Sequence, residues 1–455
     1  MFERFLGDRV CLYPGNCLDV LAELEPHSLD ACVTDPPYHL VSISERFGPG
    51  QKPAGDVPDG RYGRLSRGFM GKVWDRGDIA FQADTWRAVL RVLKPGAHLI
   101  AFGGTRTFAR MVVPIEDAGF EIRDTIAWLY GSGFPKSHDV SKGIHRAAGA
   151  EREVVGTHRG GVKRGGQYGA DGIVNKLTEP ERWHDTTIPA TDAARQWAGW
   201  GTALKPAMEL IILARKPLSE GTVAANVLRW GTGAINIDGC RIASGDDLTR
   251  ECMGLASAEN NGWRRPWMET AEKQTFGSTN GRWPANVAHD GSEEVVAAFP
   301  DTGASPPIGA MGGGSNKHSI YGDFAGGPHE NGYGDSGSAA RFFYTAKADA
   351  DDRLGSKHPT VKPLDLMQWL VRLVTPRGGT VLDPFAGTGT TGEAAFREGM
   401  RAVLIEAEAE YQADIRRRMQ LATAGPDERG RESIKAKNLP RDDGPLFDWD
   451  NPVGK

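Results

Sequence analysis

The chain has 455 residues, of which 39% are hydrophobic and 25% charged, with a net charge of −5. These proportions exclude a fibre or a wholly disordered chain and leave room for a large core in two or three structural units. The negative balance argues against a general nucleic-acid coat protein but not against a local basic groove, because phosphate contacts depend on where charge sits.

No apolar run approaches membrane-spanning length, and the opening MFERFLGDRV lacks the apolar stretch of a signal peptide. The five cysteines, Cys11, Cys17, Cys32, Cys240 and Cys252, are an odd number with no C-x-x-C. Neither a disulfide framework nor a zinc or other metal site is expected, and a reducing cytoplasm fits.

Leu29–Thr34 reads as a short apolar strand that runs into Asp35-Pro36-Pro37-Tyr38. Two prolines, each without an N–H, cannot extend a central strand, so the chain must turn there. Thr85–Leu93 has helical spacing and stops at Lys94-Pro95-Gly96; His98–Phe102 is the next strand. Phe108–Ala118 is a helix closed by Gly119, and Ile122–Leu129 a third strand. Strands separated by helices predict an α/β fold with a doubly wound, mostly parallel sheet over residues 1–130.

From residue 131 the texture changes. THRGGVKRGGQYGA has no acid between Arg159 and Arg164, and residues 131–204 read as a flexible basic insertion. Arg159, Lys163 and Arg164 suit an arm tracking phosphates, or equally a solvated loop. ELIILARK, Glu209–Lys216, returns as a strand, in a segment placed at 205–216. Residues 217–340 are rich in Gly, Asn, Ser and Trp and too long for an ordinary loop, so they form either a small domain or a partly ordered insertion. Trp230, Trp263, Trp267 and Trp283 read as a small core rather than base-stacking platforms. Regularity resumes over 341–425, with a helix after Pro363. The charged, Pro/Gly-punctuated stretch 426–455 reads as a disordered tail.

Within 341–425, Thr380–Asp383 is a strand, Pro384–Gly389 a tight loop, Thr390–Glu398 a helix closed by Gly399, and Ala402–Ile405 the next strand, ending at Glu406. This unit, with an acid some way beyond the glycines, is what a nucleotide-type cofactor needs: Gly387 and Gly389 admit close backbone approach, helix N–H groups attract an anion, and Glu406 can accept ribose hydroxyls. A third glycine is missing, which disfavours a nicotinamide enzyme, and no G-K-[ST] is present for a nucleotide triphosphate.

In an open parallel sheet ligands gather at the carboxyl ends of strands, so Asp35 and Asp383 should open onto one crevice. There Asp35 and the Pro36 carbonyl can each accept a proton of an exocyclic amine, with Tyr38 stacking on a base that has left its duplex.

TDPPY, followed by HPTVKP (His358–Pro363) and DPFAGTGTT (Asp383–Thr391), resembles the permuted, beta-class, amino-directed DNA methyltransferases. The resemblance implies an S-adenosylmethionine methyltransferase fold with residues 217–340 as its target-recognition region. It implies that Asp35, Pro36, Pro37 and Tyr38 form the catalytic clamp, and that Asp383, Phe385, Gly387, Gly389 and Thr390 line the methionine end of S-adenosyl-L-methionine with Glu406 on its ribose. His358, Thr360 and Lys362 would hold the cofactor carboxylate, although a plain helix start explains those residues as well. GNCLDVL (Gly15–Leu21) resembles the segment on the cofactor adenine, with Asn16 where the family usually has an acid. The partner implied is double-stranded DNA, with a homodimer compatible. The base implied is adenine at N6, since the cytosine-N4 enzymes more often carry serine at the position of Asp35. A silent DNA-binding protein of the same fold is the rival from another class.

Overall fold

Successive residues of a strand face opposite sides of a sheet, so a strand buried on both sides reads as a continuous apolar run. LDACVT, strand β3 (Leu29–Thr34), is such a run, with all six residues buried. The computed structural model describes residues 2–38, 78–133, 137–159, 183–244, 250–252, 274–276, 280–303, 336–346, 350–358 and 360–437. The chain divides into two units, one of Met1–Gly131 with Met208–Lys455, the other of Ser132–Ala207.

The first unit begins with β1 (Glu3–Phe5), β2 (Val10–Pro14), α1 (Cys17–Glu23) and β3, then α2 (Ala83–Val92), β4 (Leu93–Gly103), α3 (Phe108–Asp117) and β5 (Glu121–Leu129). The second unit holds α4 (Val140–Ala147), the antiparallel hairpin β6 (Glu153–Arg159) and β7 (Trp183–Ile188), and α5 (Asp192–Gln196). The first unit resumes with β8 (Met208–Arg215), α6 (Val223–Trp230), the ribbon β9 (Arg250–Cys252) and β10 (Gln274–Phe276), β11 (Val287–His289) and α7 (Glu293–Val296). It ends with β12 (Asp301–Thr302), β13 (Gly337–Ser338), β14 (Tyr344–Thr345), α8 (Leu364–Val374), β15 (Thr380–Asp383), α9 (Thr390–Arg397), β16 (Arg401–Glu406), α10 (Ala409–Leu421) and α11 (Pro426–Lys437).

Ten strands form one sheet in the order β1-β2-β16-β15-β3-β4-β8-β5-β11-β14. The run from β2 to β4 is parallel throughout, and β11 is parallel to both of its neighbours. β8 lies antiparallel between β4 and β5. Val33, Ile100, Phe102, Val381 and Leu404 face a core shared with α8, α9 and α10. Cys32, Leu99, Ala101, Leu382 and Ile405 face the opposite core, shared with α1, α2 and α3. The sheet is therefore covered by helices on both sides, as the doubly wound reading expects.

Lys94-Pro95-Gly96 ends α2 but does not delay the next strand, which starts at Leu93. The buried Asn226 explains this: its Nδ2 donates to the Pro95 carbonyl at 2.9 Å and to the Thr232 carbonyl at 2.8 Å. Gly96 N donates to the Lys216 carbonyl at 3.1 Å, so the missing N–H of Pro95 falls at the strand's beginning, where it is tolerated. The described parts of 217–340, including β11, lie within the first unit. Trp283 is 65% exposed and Trp230 stands edge-on to His27 at 5.6 Å, so neither serves as the core residue expected. Trp263 and Trp267 lie outside the described residues. The stretch expected as a flexible insertion has, in its described residues, the helices and hairpin of the second unit, with α4 capped by Asp139 accepting from Lys142 N at 3.0 Å.

The expectation of disorder from residue 426 is corrected: Pro426–Lys437 is helical, while 438–455 lie outside the described residues. Its charges are used by a buried acid. Glu393 is fully buried on α9 and is paired with Arg418 at 2.9 Å, Arg429 of α11 at 2.8 Å and Arg397 at 2.9 Å. Burial alone would raise the Glu393 pKa, but Arg418 and Arg429 hold it below the ordinary carboxylate range. Glu393→Ala would strand Arg418, which is 1% exposed, without its counter-charge. Removing one partner of a buried pair costs about 3–5 kcal/mol, so urea unfolding of this variant should show an unfolding free energy lower by that margin and a correspondingly lower midpoint.

Candidate active site

β15 and β3 are parallel neighbours, which brings their carboxyl ends together. Thr34 Oγ1 donates to Asp383 Oδ1 at 2.6 Å, and Thr391 Oγ1 donates to Asp383 Oδ2 at 2.5 Å. Phe385 N adds a third donor at 3.1 Å. Asp383 is thus a buried tie between the two loops rather than a group presented to a ligand. Burial pushes its pKa up to about 6, against the pull of these hydrogen bonds.

The loop after Asp383 turns on two left-handed glycines, Gly387 at φ 51° and Gly389 at φ 77°. They are glycine for different reasons. A Cβ on Gly389 would come within 3.1 Å of Ile415, whereas one on Gly387 would meet nothing closer than His358 Nε2 at 3.6 Å. Arg418 Nε donates to the Thr388 carbonyl at 2.8 Å and secures the loop from beneath. Thr390 is buried at the start of α9, and Phe385 packs against the core under α1 to α3.

Glu406, at the tip of β16, accepts Gly387 N at 2.8 Å and Glu408 N at 2.8 Å. Burial outweighs these two donors and pushes its pKa up to about 7. Gly15 N donates to the Glu406 carbonyl at 3.0 Å, which sets GNCLDVL beside that tip. Asn16, which stands where an acid was expected, caps α1 by accepting Leu18 N at 2.8 Å.

On the other loop Asp35 Oδ1 accepts from Tyr38 OH at 2.8 Å, and Asp35 Oδ2 lies 3.0 Å from Lys362 Nζ. Pro36 is buried and Pro37 partly so. The Tyr38 ring lies over Gly104, where a Cβ would meet its Cδ2 at 3.0 Å. Lys362 also pairs with Glu209 Oε2 at 2.9 Å, donates to Tyr38 OH at 3.1 Å, and lies 4.7 Å from the Phe102 ring centroid. Burial disfavours its ammonium, but Asp35 and Glu209 outweigh this and lift its pKa above the ordinary lysine value.

Lys362 therefore departs from the cofactor-carboxylate role expected of it. All of its named partners belong to the Asp35 side, because Pro363 turns the chain into α8 (φ −58°, ψ 134°) with Lys362 directed inward. His358 stays on the glycine loop: its Nδ1 faces the Thr360 carbonyl at 2.8 Å and its ring packs edge-on to Tyr411 at 4.5 Å. Burial lowers its pKa. Arg159 ends β6 in the second unit, and Lys163 and Arg164 lie outside the described residues.

Glu209, Thr34, Thr391 and Gly104 escaped the sequence reading. The signal for Glu209 was present, an acid opening an otherwise apolar strand. Its meaning depends on β8 running antiparallel, so that its first residues fall at the carboxyl ends of its neighbours. Among the described residues no group of three His, Cys, Asp or Glu could hold a metal, and no helix is long and apolar enough to cross a membrane.

Residues 262–417 match the family model described as DNA methylase. That stretch takes in His358, Lys362, the glycine loop and Glu406, and leaves out Asp35–Tyr38. The type II methyltransferase M2.DpnII of Streptococcus pneumoniae is 42% identical over 69 residues, which are 15% of this chain and 26% of that protein. The type II methyltransferase M.HindIII of Haemophilus influenzae is 22% identical over 245 residues, 50% of this chain and 64% of that protein. The chain thus spans less than two thirds of the length of either relative. Among solved structures, the cytosine-N4-specific PvuII DNA methyltransferase aligns over 96% of this chain and 97% of that chain, at 12% identity and a TM-score of 0.40.

The two raised carboxyls have a defined effect on stability. Folded pKa values of about 6 and about 7 lie above the ordinary 3.8 and 4.5, so protonated Asp383 and Glu406 favour the fold most below those ordinary values. That contribution is lost as pH rises through the folded values. A Glu406→Gln protein should therefore lose less stability than wild type between pH 4.5 and 7, read by urea unfolding across the window.

Proposed function

We propose that the protein is an S-adenosylmethionine-dependent DNA methyltransferase that acts on an exocyclic amine of a base turned out of double-stranded DNA. The observation that carries this reading is the Thr34–Asp383 hydrogen bond, which couples an Asp-Pro-Pro-Tyr loop to a glycine loop at neighbouring strand ends. The match of residues 262–417 to the DNA methylase family supports it. The order of the motifs, catalytic loop first and glycine loop late, supports the permuted, beta-class form.

The glycine loop fits the cofactor: a Cβ on Gly387 would meet only the His358 ring, at ordinary contact distance, and Glu406 and Gly15 flank the loop at the β16 tip. Phe385, Gly387, Gly389 and Thr390 would hold the methionine end, and Glu406 the ribose. Bound there, S-adenosylmethionine supplies a methyl group already activated by its sulfonium. Asp35 and the Pro36 carbonyl accept the two amine protons, which turns the nitrogen lone pair toward the methyl carbon. Positive charge builds on the nitrogen during transfer, and Asp35, accepting from that amine, supplies a negative charge beside it. The protein mainly orients and desolvates the reactants.

Adenine is the favoured base, because aspartate at position 35 goes mostly with adenine in the resembling family and serine more often with cytosine. Nucleoside mass spectrometry of DNA methylated in vitro should show N6-methyladenine. N4-methylcytosine as the sole product would refute the choice of base and leave the amine chemistry standing.

Two substitutions separate the halves of the site. Asp35→Ala should cut methyl transfer by about 10²–10³-fold, the loss typical of one preorganised polar contact, while leaving cofactor affinity near wild type. Lys362 keeps Glu209 as its partner in that variant, so the fold is retained. Gly387→Val should abolish S-adenosylmethionine binding in calorimetry, since its side chain would occupy the ligand's space at a left-handed position. Normal binding by Gly387→Val would reduce the loop to a turn.

A further inference from the structure

Lys362 has three N–H donors, and three groups surround its Nζ: Asp35 Oδ2 at 3.0 Å, Glu209 Oε2 at 2.9 Å and Tyr38 OH at 3.1 Å. Its side chain is 7% exposed, and those of Asp35 and Glu209 are 20% and 18% exposed. Tyr38 OH in turn donates to Asp35 Oδ1 at 2.8 Å. Both oxygens of Asp35 are thus each held by one donor, which fixes the plane of the carboxylate. A carboxylate has about four acceptor positions, so acceptor capacity remains for an incoming amine.

The charges decide how good an acceptor it is. Asp35 and Lys362 alone would make a neutral pair, with the ammonium spending the charge that the reaction needs. Glu209 restores a net charge of −1 to the group. Stability alone does not account for three charges at this place, because replacing a whole buried ionic group by apolar side chains is often neutral or stabilising. Lys362 also stands at the start of α8, where the helix dipole disfavours a cation. Two carboxylates are needed to hold it there and still leave one of them active.

We propose that Glu209 is a positioning residue for methyl transfer: it takes up the charge of Lys362, so that Lys362 and Tyr38 can aim Asp35 without neutralising it as an acceptor. This rests on the DNA methyltransferase reading. In the step concerned the amine nitrogen forms a bond to the methyl carbon as the carbon–sulfur bond breaks, its electron pair going to sulfur. The nitrogen becomes cationic and then releases one proton, first toward Asp35 and from there to water. A net negative group beside that nitrogen lowers the barrier, and a neutral one does not.

The test measures methyl incorporation into DNA by the full chain, with kcat and KM separated. Glu209→Gln should lower kcat on the order of tenfold or more, with KM for DNA and for cofactor within about twofold of wild type. Glu209→Asp, which keeps the charge, should retain most of the activity. The double variant Glu209→Gln/Lys362→Met removes one charge of each sign and returns the group to −1 while Tyr38 still holds Asp35 Oδ1, so its kcat should exceed that of Glu209→Gln alone. Thermal unfolding and calorimetric cofactor binding follow every variant; should Glu209→Gln fail to fold, Glu209→Asp decides, a folded Glu209→Asp with a tenfold or greater loss of kcat overturning the inference. A wild-type kcat in Glu209→Gln, a loss confined to KM, or a double variant no better than Glu209→Gln would overturn the inference. Wild-type protein that methylates no DNA would instead overturn the methyltransferase reading, and the inference with it.

Discussion

The carboxylate of Asp383 is the constraint on which the site depends. It is buried, and it accepts from Thr34, Thr391 and the Phe385 amide, which belong to both loops and to the helix that follows. Sequence separates Thr34 from Asp383 by 349 positions, yet one hydrogen bond sets the two loops at a fixed spacing. This acid serves the geometry of the two loops. The cost is a carboxyl whose ionisation burial opposes, offset in part by its three hydrogen-bond donors.

A second layer rests on this first one. Lys362, late in the chain, draws together Asp35 and Tyr38 from its early part and Glu209 from its middle. That meeting requires β8 to run against its neighbours, because only then does the first end of a strand lie among their last ends. In a wholly parallel sheet Glu209 would lie at the opposite rim. The antiparallel strand is therefore part of the chemistry and not merely an irregularity in the sheet.

Periodicity and turn residues carried most of the sheet. Leu29–Thr34 and Thr380–Asp383 were readable to the residue, because buried parallel strands bounded by proline or glycine have few alternatives. The glycine loop and the Asp-Pro-Pro-Tyr turn were readable because their residue types are demanded by backbone geometry. Long-range partnerships were not readable. Nothing local shows that Lys362 faces Asp35 rather than a ligand, since both assignments suit a cation before a helix. Nothing local shows that Arg429 folds the tail onto Glu393, because a charged helix with one buried arginine has the composition of a solvated one. Pro95 misled for the same reason: the group that tolerates it, Asn226, lies 131 positions away.

The order of strands has a consequence for how the chain is made. β16 and β15 lie between β2 and β3, although β2 and β3 are joined by α1 alone in the sequence. Until Thr380–Glu406 has been synthesised, β2 and β3 each lack the neighbour that β16 and β15 supply on that side. Unpaired edges recruit other strands, and contacts this distant form slowly. The nascent chain must therefore hold a gap two strands wide in its central sheet, and the glycine loop enters the molecule as the piece that closes it.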